Sequence, residues 1–219
     1  MKANKHKEKR GRPRSFDPDK VLESALRIFR EKGYEGASLS DLTKAMGINR
    51  PSMYAAFGDK ESLFRKVLDR YSCGVESVFR QAFTEKTARA FVERLLYAVV
   101  DLQTRTDSPR GCLITQGALV CGDEGEPIRQ ELVARRHQQE AMIRDRLKRA
   151  KREGDIPADS NPSDLARYLT AVMQGMSILA TGGASRSELR KVADTALQTF
   201  SPASRLEPRA QDAARRSEQ

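Results

Sequence analysis

The sequence has few cysteines, no tryptophan and no long apolar run. Its three cysteines lack Cys-x-x-Cys spacing, which argues against a disulfide framework and favours a reducing compartment, so we expect the protein to work in the cytoplasm. No apolar stretch of about 18 residues is present and no apolar run follows the charged start, so neither a membrane span nor a signal peptide is predicted. Apolar residues make up 38% of the chain, which is enough for the core of an all-helical protein.

Catalytic and metal-binding signatures are missing as well. The sequence contains no glycine-rich phosphate loop, no Gly-x-Ser-x-Gly and no His-Glu-x-x-His. Cys112 and His137 form the only conceivable nucleophile–base pair, and the cysteines and histidines lack the spacing of a metal site. We therefore expect a protein that is not an enzyme and that needs neither a metal nor another cofactor.

Positive charge is concentrated at the start of the chain. Of the net charge of +10, residues 1–14 contribute +6, from seven Lys or Arg and one Glu, whereas residues 15–60 carry seven basic and seven acidic residues. A basic arm is typical of a polyanion-binding tail, although a solubilising start has the same composition. The neutral residues 15–60 argue against a non-specific, nucleoid-type DNA binder. Residues 1–14 are predicted to be a flexible basic arm, and the polar residues 201–219 a disordered tail.

Helix start and stop signals divide residues 16–71 into four helices. Each predicted helix begins after a residue whose side chain can cap it, and the first three end at a glycine. The caps are Asp17, Ser38, Asn49 and Asp59, and the terminating glycines are Gly33, Gly47 and Gly58. Residues 38–57 therefore read as two short helices joined by a tight glycine turn, which is the plan of a helix-turn-helix motif.

Beyond residue 71 the apolar spacing stays helical, with no strand-like alternation and no internal repeat. Further helices are predicted over residues 91–102, 111–120, 128–153, 161–179 and 185–200. We therefore expect an all-α protein of about nine helices. Residues 15–71 would form an N-terminal three-helix, helix-turn-helix DNA-binding domain, and residues 72–200 a C-terminal helical domain.

A recognisable motif follows the turn. The second short helix holds Tyr54-Ala-Ala-Phe57, and the next helix starts with Lys60-Glu61-Ser-Leu63. With the basic arm and the run KGYEGASLSDLTKAMGI before it, this order resembles the TetR/AcrR-like bacterial transcriptional regulators. The resemblance covers residues 15–71, about a quarter of the chain, and the later helices match in type only.

The resemblance implies a homodimeric DNA-binding transcriptional regulator, most often a repressor. Such a regulator leaves a palindromic operator when a small-molecule effector binds the C-terminal domain. The expected partners are therefore double-stranded operator DNA, a second copy of the chain and an unknown small-molecule effector, with no membrane involved.

The same resemblance implies which residues meet DNA. Asn49 and Arg50 would be the main sequence readers, because arginine can donate two hydrogen bonds to guanine, and Tyr54 would donate its hydroxyl to a phosphate. The alternatives are a solvated surface arginine and a packed core tyrosine. Relatives often carry a larger side chain at the position of Ala56, so one contact of the family is missing here.

Other contacts are expected around the reading helix. Lys60 would help to seat a phosphate at the start of the fourth helix, Ala55 could meet a thymine methyl group, and the arm would enter the minor groove. The residues expected to contact DNA are Arg12, Arg14, Ser40, Asn49, Arg50, Pro51, Ser52, Tyr54, Ala55 and Lys60.

In the C-terminal domain the resemblance implies a dimer seam built from the last two helices and an effector pocket between the middle helices. The expected seam residues are Leu165, Leu169, Val172, Leu189, Val192, Ala196 and Leu197. The expected pocket residues, each of which could equally be plain core, are Phe79, Tyr97, Cys112, Gln116, Met142, Met173 and Met176. An alternative to a bound effector is thiol-based redox or electrophile sensing through Cys112, unless that cysteine is only a small buried side chain.

Overall fold

The computed structural model describes residues 16–106, 109–117 and 125–200, and within these ranges it contains helices and no strands. The all-α prediction is therefore confirmed. The nine described helices are α1 Pro18–Gly36, α2 Leu39–Met46, α3 Arg50–Phe57, α4 Lys60–Phe83, α5 Ala88–Gln103, α6 Leu113–Gln116, α7 Glu126–Arg152, α8 Pro162–Thr181 and α9 Arg186–Gln198. None of these helices is both long enough and apolar enough to cross a membrane.

Helix α1 begins as its sequence predicts. The Asp17 side chain caps it by accepting a 2.9 Å hydrogen bond from the backbone N–H of Asp19, and Pro18 occupies the first position, where no N–H is needed. Gly33, at φ 71° and ψ 179°, interrupts the helical geometry where the sequence indicates an end, and one further turn continues to Gly36. The buried face of α1 consists of Val21, Ala25, Leu26 and Phe29.

Local chemistry also fixes the two short helices α2 and α3. Ser38 and Asp41 form a capping box, in which each side chain accepts a hydrogen bond from the other residue's backbone N–H. Gly47 takes the left-handed conformation at φ 65°, so that the Ile48 N–H can reach the carbonyl of Thr43. Because only two residues separate this turn from α3, the two helices stand at a fixed angle to each other.

The Asp41 carboxylate joins the start of α2 to the end of α1. The Lys32 ammonium lies 2.8 Å from it, and this contact, followed by the hydrogen bonds from Ser38, lowers the pKa of Asp41 from 3.8 to about 2. The charged carboxylate is therefore favoured in the folded state.

This lowered pKa predicts acid sensitivity. Because the folded pKa lies below the unfolded one, the stabilisation is complete above pH 3.8 and is lost as the pH falls towards about 2. We expect the melting temperature of Asp41→Asn to vary less over this pH window than that of the wild type, as measured by circular dichroism. Asp145→Asn is the control, because its exposed carboxylate makes only long ion pairs, at 3.4 and 3.6 Å. Equal slopes for wild type and Asp41→Asn would contradict the prediction.

Helix α4 runs through two hydrophobic cores. Its first half, with Leu63, Phe64, Val67 and Leu68, packs among α1 to α3, whereas Phe79 and Ala82 belong to the core of the C-terminal helices. The proposed domain boundary at residue 71 therefore falls inside one continuous helix. Any rotation of α4 would therefore change the packing of both cores.

The core of the N-terminal helices also contains residues from far along the chain. Leu113 of α6 and both Ile128 and Leu132 of α7 are buried in the same cluster as the apolar face of α1. Sequence periodicity assigns these residues to the C-terminal half without indicating this contact. The start of α7 and the whole of α6 thus form part of the support of the N-terminal helices.

Four of the seven predicted seam residues lie in the core of the protomer itself. Leu169, Leu189, Ala196 and Leu197 are buried in the protomer's own core, with at most 5% of each residue exposed. They hold α8 and α9 against their own protomer, so they are not available to a second copy. Leu165, Val172 and Val192 are partly buried at the edge of this core.

A different face of α8 is apolar and open. Tyr168, Ile178 and Leu179 are 38%, 49% and 48% exposed, and Ala171 is exposed between them. A methyl group placed on Gly175 would meet no atom within 4 Å, so the same face has room for a close neighbour. The exposed apolar surface of α8 therefore lies beside the predicted seam residues rather than on most of them.

Candidate nucleic-acid interface

Helix α3 is held to the domain by one of its faces. Met53 and Phe57 are 0% and 4% exposed, and the Phe57 ring lies 6.2 Å from that of Phe16. This anchoring leaves the opposite face to solvent, where Arg50, Pro51, Tyr54 and Ala55 are all exposed. The structure thus presents these four predicted DNA contacts together on one surface.

Two side chains on this surface are free to bind. Tyr54 is 47% exposed and is not a core tyrosine. Within residues 16–106, 109–117 and 125–200, neither the Tyr54 hydroxyl nor the Arg50 guanidinium has a hydrogen bond or ion pair. Ser40 is exposed in the first turn of α2, and Ser52 is half-buried. An unpaired guanidinium and an unpaired hydroxyl one helical turn apart form a surface that can donate to a nucleic acid.

Asn49 has a structural role that limits its use as a reader. Its side-chain oxygen caps α3 by accepting a 2.8 Å hydrogen bond from the backbone N–H of Ser52. Only the amide nitrogen of the Asn49 side chain remains to donate to a base. Arg50 is therefore the stronger candidate for sequence reading on this helix.

Lys60 is turned away from the position expected for it. Its ammonium donates to the Glu35 carbonyl at 3.3 Å and lies 4.7 Å above the Tyr34 ring, at the end of α1. The neighbouring Asp59 carboxylate caps α4 by accepting from the Ser62 N–H at 2.7 Å, and this hydrogen bond lowers the pKa of Asp59. A charged carboxylate at this helix start repels phosphate, so the phosphate seat predicted there would require Lys60 to reorient.

The remaining predicted contacts belong to the N-terminal arm. Arg12 and Arg14 lie outside the described residues. The described part of the interface consists of the exposed face of α3 together with the first turn of α2.

A cavity of about 770 Å³ lies between the N-terminal helices and the C-terminal core. Residues of α1, α4, α5, α6, α7 and α8 line it, and it is of a size that suits a drug-sized ligand. Four of the seven predicted pocket residues are on its wall, namely Phe79, Cys112, Met142 and Met173.

The other three predicted pocket residues lie elsewhere. The Tyr97 hydroxyl donates to the Asp194 carboxylate at 2.6 Å, and its ring lies under Arg190 of α9. Met176 is fully buried within the C-terminal core. Gln116 lies against Gly111, where a methyl group added to the glycine would come within 2.5 Å of its amide. Residue type alone does not indicate which side of each helix faces the cavity.

Sequence reasoning missed the polar residues of the cavity wall. Gln103, Thr170 and Ser177 are buried and line the cavity. The available signal was the presence of polar residues within the apolar stripes of α5 and α8.

Two known domain types account for most of the chain. Residues 21–67 match the model of bacterial regulatory proteins of the tetR family, and residues 88–198 match that of tetracyclin repressor-like C-terminal domains. The chain is 36% identical over 196 residues to the HTH-type transcriptional repressor ComR of Escherichia coli (strain K12), and the match covers 89% of this chain and 93% of ComR. The chain belongs to the TetR family of bacterial transcriptional regulators.

Other members of the TetR family support this assignment. The HTH-type transcriptional repressor BdcR of Escherichia coli (strain K12) is 29% identical, over 82% of this chain and 86% of BdcR. A cysteine mutant of the regulator CifR, solved in complex with 26 bp double-strand operator DNA, has a TM-score of 0.83 and 39% identity, covering 87% of this chain and 100% of the CifR chain. A TetR regulator from Chloroflexus aurantiacus, at 22% identity and a TM-score of 0.75, shares the fold.

Within this TetR-family fold, one short segment connects the cavity to the DNA-binding helices. Arg30 of α1 donates to the carbonyl oxygens of Pro109 and Gly111, the latter at 2.9 Å. From the opposite side, the Gln103 side chain accepts a 2.8 Å hydrogen bond from the Gly111 N–H. Gly111 has φ 96°, a conformation that favours glycine. The segment is thus held by the cavity wall on one side and by α1 on the other.

Cys112 adjoins this segment and lines the cavity. It is half-buried and free, and the hydroxyl of the partly buried Tyr71 lies beside it. Burial, followed by the contact with Cys112, raises the pKa of Tyr71 well above its usual value. Tyr71 therefore remains a neutral hydroxyl beside the thiol at physiological pH. Cys73, the other free cysteine in the described ranges, is exposed and lines the same cavity.

Proposed function

We propose that this chain is a homodimeric repressor that binds a palindromic operator and is released when a small molecule fills the cavity. The observation that carries the proposal is the exposed face of α3, where Arg50 and Tyr54 have no partner in the described part of the chain, in a protein of the TetR family. The relatives ComR and BdcR are transcriptional repressors by name, and CifR was solved with operator DNA. The regulator would act in the cytoplasm, where its DNA is.

On DNA, α3 would enter the major groove. The Arg50 guanidinium can donate two hydrogen bonds to a guanine edge, and Tyr54 can donate to a phosphate, which fixes the register without reading sequence. A two-fold dimer places two copies of α3 about 34 Å apart, on successive turns of the groove. The operator would accordingly be a palindrome.

Release would follow from a difference in affinity. A ligand can shift the protein only towards the state that it binds better. In this structure a change in the cavity would reach α1 through Gln103, Gly111 and Arg30. The spacing of the two reading helices would then no longer match the operator.

Fluorescence anisotropy tests the DNA-binding proposal. Labelled DNA from immediately upstream of the chain's own gene is compared with unrelated DNA of the same length. We expect the upstream DNA to bind at least about 1,000-fold more tightly at physiological salt. Equal affinities for the two DNAs would count against a specific regulator of its own promoter.

A second candidate function is thiol-based sensing, favoured by the position of Cys112 on the cavity wall. An electrophile or oxidant small enough to enter the cavity could modify the thiol and displace the segment held by Arg30. The test is labelling of the native protein with iodoacetamide at neutral pH, with the exposed Cys73 as the internal reference. Labelling of Cys73 without any labelling of Cys112 would exclude this candidate.

A further inference from the structure

Buried polar side chains are concentrated in the wall of the cavity. Five polar or charged residues of the described ranges are buried, and four of them line the cavity. These four are Gln103, Thr115, Thr170 and Ser177, and none of them carries a charge. The fifth, Arg146, lies elsewhere and donates to the carbonyl oxygens of Glu85 and Lys86. The buried polar residues of the cavity wall are therefore all neutral.

Within this wall, two of the polar residues satisfy each other. The Gln103 amide nitrogen donates to the Ser177 hydroxyl at 2.9 Å, and that hydroxyl donates to the carbonyl of Met173 at 3.1 Å. The Gln103 oxygen is used by the Gly111 N–H. These groups are already paired, so they shape the wall more than they offer free partners.

Thr170 differs from its neighbours. The residue is 8% exposed and lines the cavity, but its hydroxyl is buried and has no hydrogen-bond partner among the residues that the structure describes. Threonine in a helix uses two χ1 rotamers, and a rotation of about 120° exchanges the hydroxyl with the methyl group. A ligand oxygen or N–H in the cavity could therefore attract a hydroxyl that has no partner to lose.

Six charged side chains line the cavity, and none of them is buried: Glu23, Arg30, Arg70, Glu76, Arg105 and Arg135. Arg30 is half-buried and uses its guanidinium to donate to the carbonyl oxygens of Pro109 and Gly111. Arg70 pairs with Asp19 at 2.6 Å and with Glu23 at 3.5 Å. Arg135 pairs with Asp69 at 2.5 Å and with Glu131 at 2.8 Å. A charged ligand group placed against the buried wall would lose water without gaining an opposite charge.

We propose that the cavity binds an uncharged, mainly apolar organic molecule with one hydrogen-bonding oxygen, which pairs with the Thr170 hydroxyl. Apolar side chains such as Val99, Leu102 and Met173 supply the rest of the contact surface. The role of this molecule as an effector rests on the proposed function, whereas its chemical class rests on the cavity alone. An ionised carboxylate or amine against the four buried polar residues would meet no counter-charge among them, and the nearby Arg30 guanidinium already donates to the carbonyl oxygens of Pro109 and Gly111.

Three compounds that share two phenyl rings test the proposal. Benzophenone offers a neutral carbonyl, diphenylacetate a carboxylate, and benzhydrylamine an ammonium. Calorimetric titration of the full-length protein without DNA is expected to give the highest affinity for benzophenone. Thr170→Val, which keeps the shape but removes the hydroxyl, is expected to weaken that binding about five- to tenfold.

Two further measurements make the result interpretable. Thr170→Val should melt no lower than the wild type, because the lost hydroxyl has no partner in the free protein. Thr195→Val on α9 is the matched control: its exposed hydroxyl donates to the Lys191 carbonyl outside the cavity, so benzophenone affinity should not change.

The proposal is overturned if either charged compound binds more tightly than benzophenone, if benzophenone does not bind, or if Thr170→Val leaves its affinity unchanged. A second experiment separates the ligand proposal from the proposed function: the same compounds are added to the complex of the protein with labelled upstream DNA, and release of the DNA is followed by anisotropy. Benzophenone binding without release of DNA would refute its role as an effector and leave the ligand class standing. Failure to bind the upstream DNA specifically would count against a regulator of its own promoter and leave the ligand titration unaffected.

Discussion

Replacing Arg50 by alanine is expected to remove most of the preference for operator over unrelated DNA. Each bidentate arginine–guanine contact contributes about 1–3 kcal/mol of discrimination, and a two-fold dimer makes the contact twice. The expected loss of specific affinity is therefore about 30-fold or more. Anisotropy measurements with operator and with unrelated DNA should show the loss mainly for the operator.

Two other variants define what this result means. Tyr54→Phe removes only the hydroxyl that would donate to a phosphate, a contact that does not depend on sequence. Affinity for both DNAs should therefore fall by a similar factor. Arg152→Ala removes an exposed arginine at the far end of α7 and should change neither affinity. If Arg50→Ala kept its preference for the operator, α3 would not read sequence through this residue.

The helix-turn-helix could be predicted from the sequence because short-range chemistry determines it. Ser38 caps a helix that starts at the next residue, and its partner Asp41 lies three positions further along the chain. Asn49 and Ser185 act in the same way for α3 and α9. In each case the donor and the acceptor lie within one turn, so no knowledge of the tertiary structure is needed.

The proposed dimer face could not be predicted in this way because α8 is apolar on more than one side. Leu169 and Met176 face the protomer core, and Ile178 and Leu179 face solvent, yet all four fit a helical apolar pattern. Periodicity identifies apolar stripes but does not say which of two stripes has a partner within the chain. That choice is made by the packing of α5, α7 and α9 around α8.

The cavity was partly predictable for a related reason. Met and aromatic residues favour adaptable apolar surfaces, and Phe79, Met142 and Met173 do line it. The polar groups that would select a ligand come from α5 and α8, which are far apart in the sequence. The hydrogen bond between Gln103 and Ser177, for example, joins residues 74 positions apart. Such a pairing is visible only once the helices are placed.

Substituting glutamate for Ile178 and Leu179 together is expected to convert the proposed dimer into monomers and to abolish high-affinity operator binding. The two side chains are about half exposed on the open face of α8, so their replacement should leave the protomer folded. In a two-fold interface each new carboxylate would be buried near its own copy in the partner, where like charges repel and lose their water. We expect the dimer dissociation constant, measured by analytical ultracentrifugation, to rise at least about 100-fold.

Ala134→Glu is the control, because it adds a charge at an exposed site on α7 and should leave the dimer intact. If the doubly substituted protein remained a dimer, the interface would lie on another surface. In that case the double substitution should also leave operator affinity unchanged.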